Sequence, residues 1–186
     1  YRKAADTDGD SVKATVALGR TLYRAGKHAQ AERAYRRAIQ QAPKTTEAHF
    51  GLGKTLVALD RPQAAIDAFD AGQQFAGSET VTGYIGKGVA LDMLGRHGHA
   101  QRVYQAGLER APDNIKLLNN YGLSLVLSGD LKTAIEVLEP LVRDGSGRER
   151  IRQNLALAYG LQGDLQQAAE IANYDLSPDA VDANLT

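Results

Sequence analysis

Glycine and alanine return along this chain with a period of 34 residues, and that period restricts the fold more than any other feature. Gly19, Gly53, Gly88, Gly122 and Ala156 follow one another at steps of 34, 35, 34 and 34. Ala31, Ala65, Ala100, Ala134 and Ala168 form a second series at the same steps, and Gly26, Asp60, Gly95, Gly129 and Gly163 a third. Three series in one register mark a stacked array of helix-turn-helix units, each too small to bury its own apolar face. The 186 residues hold about 5.5 such units. The expectation is an all-α solenoid of about five full repeats, with a partial repeat before them and a capping helix after them, and no single central core. Arrays of this kind hold other proteins rather than perform chemistry.

Composition narrows the partners. Lys+Arg and Asp+Glu are both 22, so the formal net charge is zero. A nucleic-acid binder needs a basic face to displace counterions, and nothing in this balance supplies one. General attraction to anionic membranes is disfavoured for the same reason, and no apolar run approaches the ~20 residues that span a bilayer. With no cysteine in the chain, disulfides and thiolate metal sites are excluded. The sequence begins at Tyr1 rather than at methionine. The expectation is that the native protein extends upstream, where a signal peptide or a lipid-attachment cysteine would lie.

With Val12 as position 1, the units fall at 12–45, 46–80, 81–114, 115–148 and 149–176, the last degenerate. Residues 1–11 read as the end of a truncated preceding repeat. In the first unit Leu18 and Gly19 take positions 7 and 8, Ala31 position 20, Tyr35 position 24, Ala38 position 27 and Pro43 position 32. The third unit repeats the pattern with Tyr84, Gly88, Leu91, Gly95, Ala100, Tyr104, Gly107 and Pro112. This resembles the tetratricopeptide repeat (TPR). In that family large residues pack between the two helices, small residues at positions 8, 20 and 27 allow close approach, and a proline ends the second helix. The departures predict local features. Thr80 is an inserted residue after Gly77-Ser78-Glu79, where the turn should be irregular. Pro140, followed by Asp144-Gly145-Ser146-Gly147, should end the fourth unit's second helix early in a flexible link. Ser177-Pro178-Asp179 reads as the start of a capping helix over 177–186: an N-cap, a proline at N1 and an acid in the first turn.

Several motifs invite chemistry and do not carry it. Phe50-Gly51-Leu52-Gly53-Lys54-Thr55 ends like a phosphate-binding loop, but Ala48 stands where the first glycine belongs and the segment lies within a repeat helix. Gly83, Gly86 and Gly88 follow no strand and read as packing residues. His97 and His99, like His28, sit in turns without a supporting carboxylate or cysteine cluster, so solvated turn residues are the better reading. His49 takes packing position 4. No nucleophile, base and acid set stands out, so no catalytic residue, cofactor or metal ligand is assigned.

The candidate site is the groove lined by the first helix of each unit, through positions 2, 5, 6, 9, 12 and 13. Unit one offers Lys13, Val16, Arg20, Tyr23 and Arg24, which is basic; unit two offers Glu47, Phe50, Lys54 and Val57. Beyond them the profile turns more apolar: Ile85, Val89, Asp92 and Met93 in unit three, Lys116, Asn119, Asn120, Leu123, Val126 and Leu127 in unit four, and Arg150, Gln153, Asn154, Leu157 and Leu161 in unit five. An apolar strip with a polar rim fits an amphipathic or extended protein segment. Phe50, Ile85, Val89, Met93, Leu123, Leu127 and Leu157 would give apolar contact, with Lys116 and Asn119 beside them. Asn120 and Asn154 would hold the partner's backbone through their amides. The alternative is that the asparagines orient neighbouring helices and the apolar residues pack on the chain's own ends. The grip on a C-terminal carboxylate known from some repeat domains places Lys and Asn at positions 5 and 9. Val16 and Arg20 stand there, so that mode is disfavoured.

The C-terminal half is more specific. Leu94-Gly95-Arg96-His97, Asn119-Asn120-Tyr121-Gly122-Leu123-Ser124-Leu125, Ser128-Gly129-Asp130-Leu131, Arg152-Gln153-Asn154-Leu155-Ala156-Leu157-Ala158-Tyr159-Gly160 and Asp175-Leu176-Ser177-Pro178 together resemble the TadD family, the TPR lipoproteins of the tight-adherence (Flp) pilus machinery. The resemblance covers roughly Leu91 to the end. It implies a periplasmic, outer-membrane-associated lipoprotein that acts as a pilotin for the secretin, touching the membrane only through a lipid anchor upstream of Tyr1. The rival readings are a self-assembling structural scaffold and a periplasmic co-chaperone or adaptor.

Overall fold

The computed structural model describes residues 2–76, 80–143 and 149–173, with backbone alone for 2–10 and 173. Among these residues there are ten helices and no strand: α1 (Arg2–Arg24), α2 (His28–Gln41), α3 (Thr46–Ala58), α4 (Pro62–Phe75), α5 (Val81–Met93), α6 (His97–Arg110), α7 (Ile115–Ser128), α8 (Leu131–Arg143), α9 (Glu149–Gln162) and α10 (Leu165–Asn173). The fold is all-α, as the period requires. It divides into two compact units, residues 1–103 and 104–186, with the boundary inside α6. In the first unit α1 packs on α2 and α3, and α3 and α4 pack on each other and on α5; in the second α7 packs on α8 and α9, α8 on α9, and α9 on α10.

The three sequence series each have a physical cause. Gly26, Asp60, Gly95, Gly129 and Gly163 all take a positive φ, between 56 and 95°. Each sits just past the first helix of a pair, and the next N–H reaches back six residues in all: Lys27 to the Leu22 carbonyl, Arg61 to Leu56, Arg96 to Leu91, Asp130 to Leu125 and Asp164 to Tyr159, at 2.9–3.0 Å. This is the Schellman stop, repeated five times, and it reverses the chain the same way each time. Ala31, Ala65, Ala100 and Ala134 are each fully buried, because a larger side chain there would hold the paired helices apart. Gly19, Gly53 and Gly122 make room for a large residue of the paired helix. A Cβ at these glycines would stand 2.9 Å from the Tyr35 ring, 2.8 Å from the Phe69 ring and 2.5 Å from Leu138.

The second helices begin with local caps. Pro62 opens α4 at N1, and the side chains of Asp130 and Asp164 accept from the Thr133 and Gln167 N–H groups at 3.3 and 3.1 Å. Among the first helices, α5 starts at the inserted Thr80, whose hydroxyl accepts from Gly83 N–H at 3.3 Å, and α7 at Asn114, which caps Leu117 N–H at 3.1 Å. The insertion is thus absorbed as a helix cap.

Two helices add detail to the sequence reading. α1 is a single helix from Arg2 to Arg24, so the residues read as the end of a preceding repeat continue into the first helix of the first full unit. One interior glycine costs only about 1 kcal/mol and no proline interrupts the run, so nothing local stops the helix. α8 passes through Pro140 and is described to Arg143, one residue shorter than α2 and α4. The predicted irregular turn at 77–79, the link at 144–147 and the capping helix over 177–186 lie outside the described residues.

Candidate functional site: one cleft and one apolar face

The first unit contains a cleft of about 540 Å3. α1 contributes Arg20, Tyr23 and Arg24, one helical turn apart or less, so all three leave the same face. α3 contributes Thr46, Glu47, Phe50, Gly51 and Lys54, α2 contributes Tyr35, and α5 contributes Thr82. The cleft exists because Tyr35 lies between two glycines. A Cβ at Gly19 on α1 would come within 2.9 Å of its ring, and one at Gly51 on α3 within 2.3 Å. Phe69 is seated in the same way one repeat later, between Gly53 and Gly86. These contacts explain the glycine run 51–53 and complete the packing reading of that segment. Thr55 beside it is fully buried and spends its hydroxyl on the Gly51 carbonyl at 2.7 Å.

Three cations face the cleft against a single carboxylate. Arg20 and Glu47 pair across it at 3.3 Å, both well exposed. Arg24 and Lys54 have no carboxylate partner among the described residues. Tyr35 is 5% exposed, and its hydroxyl has no hydrogen-bond partner among the described residues although it borders the cleft. Burial holds its phenol above the ordinary tyrosine value; Glu47 adds to the rise and Arg20 opposes it in part. At neutral pH the hydroxyl is therefore a protonated donor. Tyr23 closes one end by packing on the His28 ring, with centroids 5.2 Å apart.

In the second unit the corresponding helix face is apolar. Asn154 on α9 donates its side-chain amide to Asn119 Oδ1 on α7 at 2.9 Å. This fixes the two helices in register. Leu123 and Leu127 follow Asn119 at i+4 and i+8, and Leu157 and Leu161 follow Asn154 at i+3 and i+7, so each leucine pair continues the face on which its asparagine stands. Leu123 is half-buried, while Leu127, Leu157 and Leu161 are 51, 46 and 59% exposed.

Several sequence expectations need correction. Phe50 is 9% exposed and packs on Phe69 and over Gly72, so it is mainly a core residue with an edge on the cleft. Val16 and Val126 are buried. Asn120 donates to the Lys116 carbonyl of its own helix at 2.6 Å, and Asn154 to Asn119. The amides expected to hold a partner's backbone are therefore already engaged, and for the Asn119–Asn154 pair the helix-orienting alternative describes the contact. Ile85 and Val89 are half-buried on α5, Met93 at its end is 41% exposed, and Lys116 is exposed on α7. His97 is bonded through Nδ1 to Asp92 at 2.9 Å rather than solvated, whereas His49 packs as its position implied, buried against the Pro43 carbonyl and the Phe75 ring. Among the described residues no group of His, Cys, Asp or Glu could hold a metal, and no helix is long and apolar enough to cross a membrane. Tyr35 and Thr46 were not legible as cleft residues, because their repeat positions mark packing and a helix start, and the missing Cβ of Gly51 opens the way to Tyr35. Thr82 stands at groove position 2 but was not named among that unit's candidates.

Comparison with known proteins places these features in context. Family models described as tetratricopeptide repeat match residues 16–79 and 85–149, and a second such model matches residues 151–173. The uncharacterized protein y4yS of Sinorhizobium fredii (strain NBRC 101917 / NGR234) is 37% identical over 110 residues, and the match spans 59% of this chain and 59% of that protein. Among solved structures, YrrB, a TPR protein with an unusual peptide-binding site, superposes with a TM-score of 0.67 at 19% identity, covering 100% of this chain and 97% of that one. TTC0263, a thermophilic TPR protein of Thermus thermophilus, gives 0.75 at 22% identity over 94% of this chain and 95% of its own. PilF of Pseudomonas aeruginosa gives 0.76 at 18% identity over 94 and 78%. At these identities the structural likeness is one of fold.

Proposed function

The chain belongs to the tetratricopeptide-repeat family, and on that premise we propose that it is a non-enzymatic scaffold that holds a segment of an outer-membrane secretin, as a TadD-like pilotin of tight-adherence pilus assembly. Proteins of this family act as protein–protein interaction scaffolds and bind protein or peptide partners, and the fold is generally non-enzymatic. The narrower reading rests on the resemblance of the run from Leu91 to the end. On the same ground we extend it to a periplasmic, outer-membrane-associated lipoprotein.

The observation that supports it is the row of exposed leucines on α7 and α9. Leu127, Leu157 and Leu161 are each about half exposed on helices that bury Leu125 and Val126, and Ile151, Leu155 and Ala158, in the core. An amphipathic segment that covered such a row would gain roughly 25 cal/mol for each Å2 of apolar surface removed from water. The test is fluorescence-polarisation binding to peptides tiled across the C-terminal region of the secretin from the same organism. One peptide should bind saturably, and Leu127→Ser with Leu157→Ser should weaken it at least about tenfold without lowering the melting temperature. Unchanged affinity in the double variant would remove the leucine face from the reading. No binding by any peptide would remove the secretin, and a mass that rises with concentration would then favour self-assembly.

A further inference from the structure

We propose that the cleft of the first unit is a second recognition site, in addition to the leucine face of the second unit, and that it takes a short acidic protein segment by its glutamate or aspartate side chains. It rests on the reading of the chain as a peptide-holding scaffold, and not on the identity of the partner. Three observations converge. Arg24 and Lys54 face the cleft with no carboxylate partner among the described residues. Tyr35, 5% exposed, lines the same space, and its hydroxyl also has no partner among them. Finally, the cleft already holds one carboxylate: Glu47 reaches Arg20 at 3.3 Å, which shows that a carboxylate oxygen can sit against one of its three cations.

The chemistry selects the occupant. Two unpaired cations and a hydroxyl donor favour an acceptor-only group, which an ionised carboxylate is. Tyr23 and the edges of Tyr35 and Phe50 add apolar surface, so an aromatic residue next to the acid would cover ring faces while its neighbour is bonded. A cleft of about 540 Å3 is in the range that encloses a few side chains rather than a folded surface. This is not the terminal-carboxylate grip of other repeat domains. The cations stand at positions 9 and 13 of one unit and position 9 of the next, and Val16 and Phe50 occupy position 5.

An amide NMR titration of the whole chain tests it, with the acetylated and amidated peptide Gly-Glu-Phe-Glu-Gly as probe and its glutamine counterpart as control. The glutamate peptide should shift amides of α1 and α3 saturably at low salt, and the shifts should shrink as salt screens the exposed charges. Arg24→Gln with Lys54→Gln should weaken it roughly tenfold, since each removes a hydrogen bond to a charge worth a few-fold in affinity. Both residues are exposed, so the variant should keep its melting temperature. Tyr35→Phe keeps the ring in its seat between Gly19 and Gly51 and should cost about threefold. Equal binding of the glutamine peptide would overturn the acidic selectivity. An undiminished affinity in the Arg24/Lys54 variant, or no saturation by the glutamate peptide at millimolar concentration, would overturn the site. Competition by inorganic phosphate as effective as by the peptide would make it a small-anion site instead. The Leu127→Ser/Leu157→Ser variant should bind this probe normally, so failure of the cleft and failure of the leucine face are read separately.

Discussion

The two units solve the same packing problem with side chains of different size. In the first, an aromatic ring stands at position 24 and two neighbouring helices give up their Cβ atoms to seat it: Gly19 and Gly51 around Tyr35, Gly53 and Gly86 around Phe69. In the fourth repeat, within the second unit, Leu138 takes that position over Gly122, and the residue matching Gly51 and Gly86 is Asn154, whose amide ties α9 to Asn119 on α7. Tyr35 and Phe69 thus take their seats from empty neighbours, and at Tyr35 the space left over is the cleft, whereas for Tyr104, also at position 24 and fully buried, the matching residue is Asn120. A smaller leucine lets the neighbour keep a side chain, and that side chain becomes a helix-to-helix bond. The surfaces differ accordingly: a cationic, aromatic cleft in one unit and a leucine face in the other.

The largest effect should come from filling the ring's seat. Gly51→Ala gains up to about 1 kcal/mol of helix propensity. It also places a Cβ 2.3 Å from a ring that Gly19 confines on the other side. Overpacking typically costs about 1–3 kcal/mol, and with no free direction for the ring it should dominate, leaving a net loss of about 2 kcal/mol by urea denaturation. In a Tyr35→Leu background, which imitates the second unit, the same change should become neutral or stabilising. A cost that is equal in both backgrounds would break the proposed link between ring and glycine.

That link also marks the limit of what the sequence discloses. The left-handed turns at Gly26, Asp60, Gly95, Gly129 and Gly163, the buried alanines and the glycines under position 24 were all legible, because a 34-residue period repeats the same backbone demand. The second glycine of each ring seat, Gly51 and Gly86, was legible only as packing of unspecified kind, since its partner lies on a different repeat. The asparagines at 119, 120 and 154 were legible as polar residues on the correct face. Whether an amide turns toward a ligand, its own helix or a neighbouring helix depends on a few ångströms of helix spacing, and no sequence pattern encodes that. Phe50 shows the same limit, because its repeat position points to the groove while its ring leans back on Phe69.

A smaller effect should separate the amide bridge from mere surface polarity. Asn154→Ala removes the 2.9 Å bond and leaves Asn119 Oδ1 half-buried without its donor, which should cost about 1 kcal/mol. Removing both partners, as Asn119→Leu with Asn154→Leu, should cost less than the single change, since no stranded acceptor remains. A double variant that loses as much as the sum of the two singles would mean that the amides act independently and do not set the α7–α9 register.

The smallest effect distinguishes the first unit's surface by its pH dependence. Glu32 on α2 accepts from Arg36 one turn along at 2.9 Å and from Arg61, which precedes α4, at 2.9 and 3.0 Å. Burial pushes its carboxyl up, but the hydrogen bonds and charges of the two arginines outweigh that and hold it below the ordinary glutamate value. A carboxyl depressed in the folded state stabilises the fold above the pH at which the unfolded glutamate titrates, near 4.5. That contribution is lost as the pH falls through the lower folded value, because the protonated acid no longer attracts the arginines. Arg61→Gln should therefore cost at most about 1 kcal/mol at neutral pH, since the Arg61 side chain is 48% exposed and solvent screens part of the attraction. The difference between variant and wild type should close in acid, well below the glutamate range. Urea melts across that range measure it directly. A cost that persists unchanged in acid would assign Arg61 a packing role at the start of α4 instead of an electrostatic one.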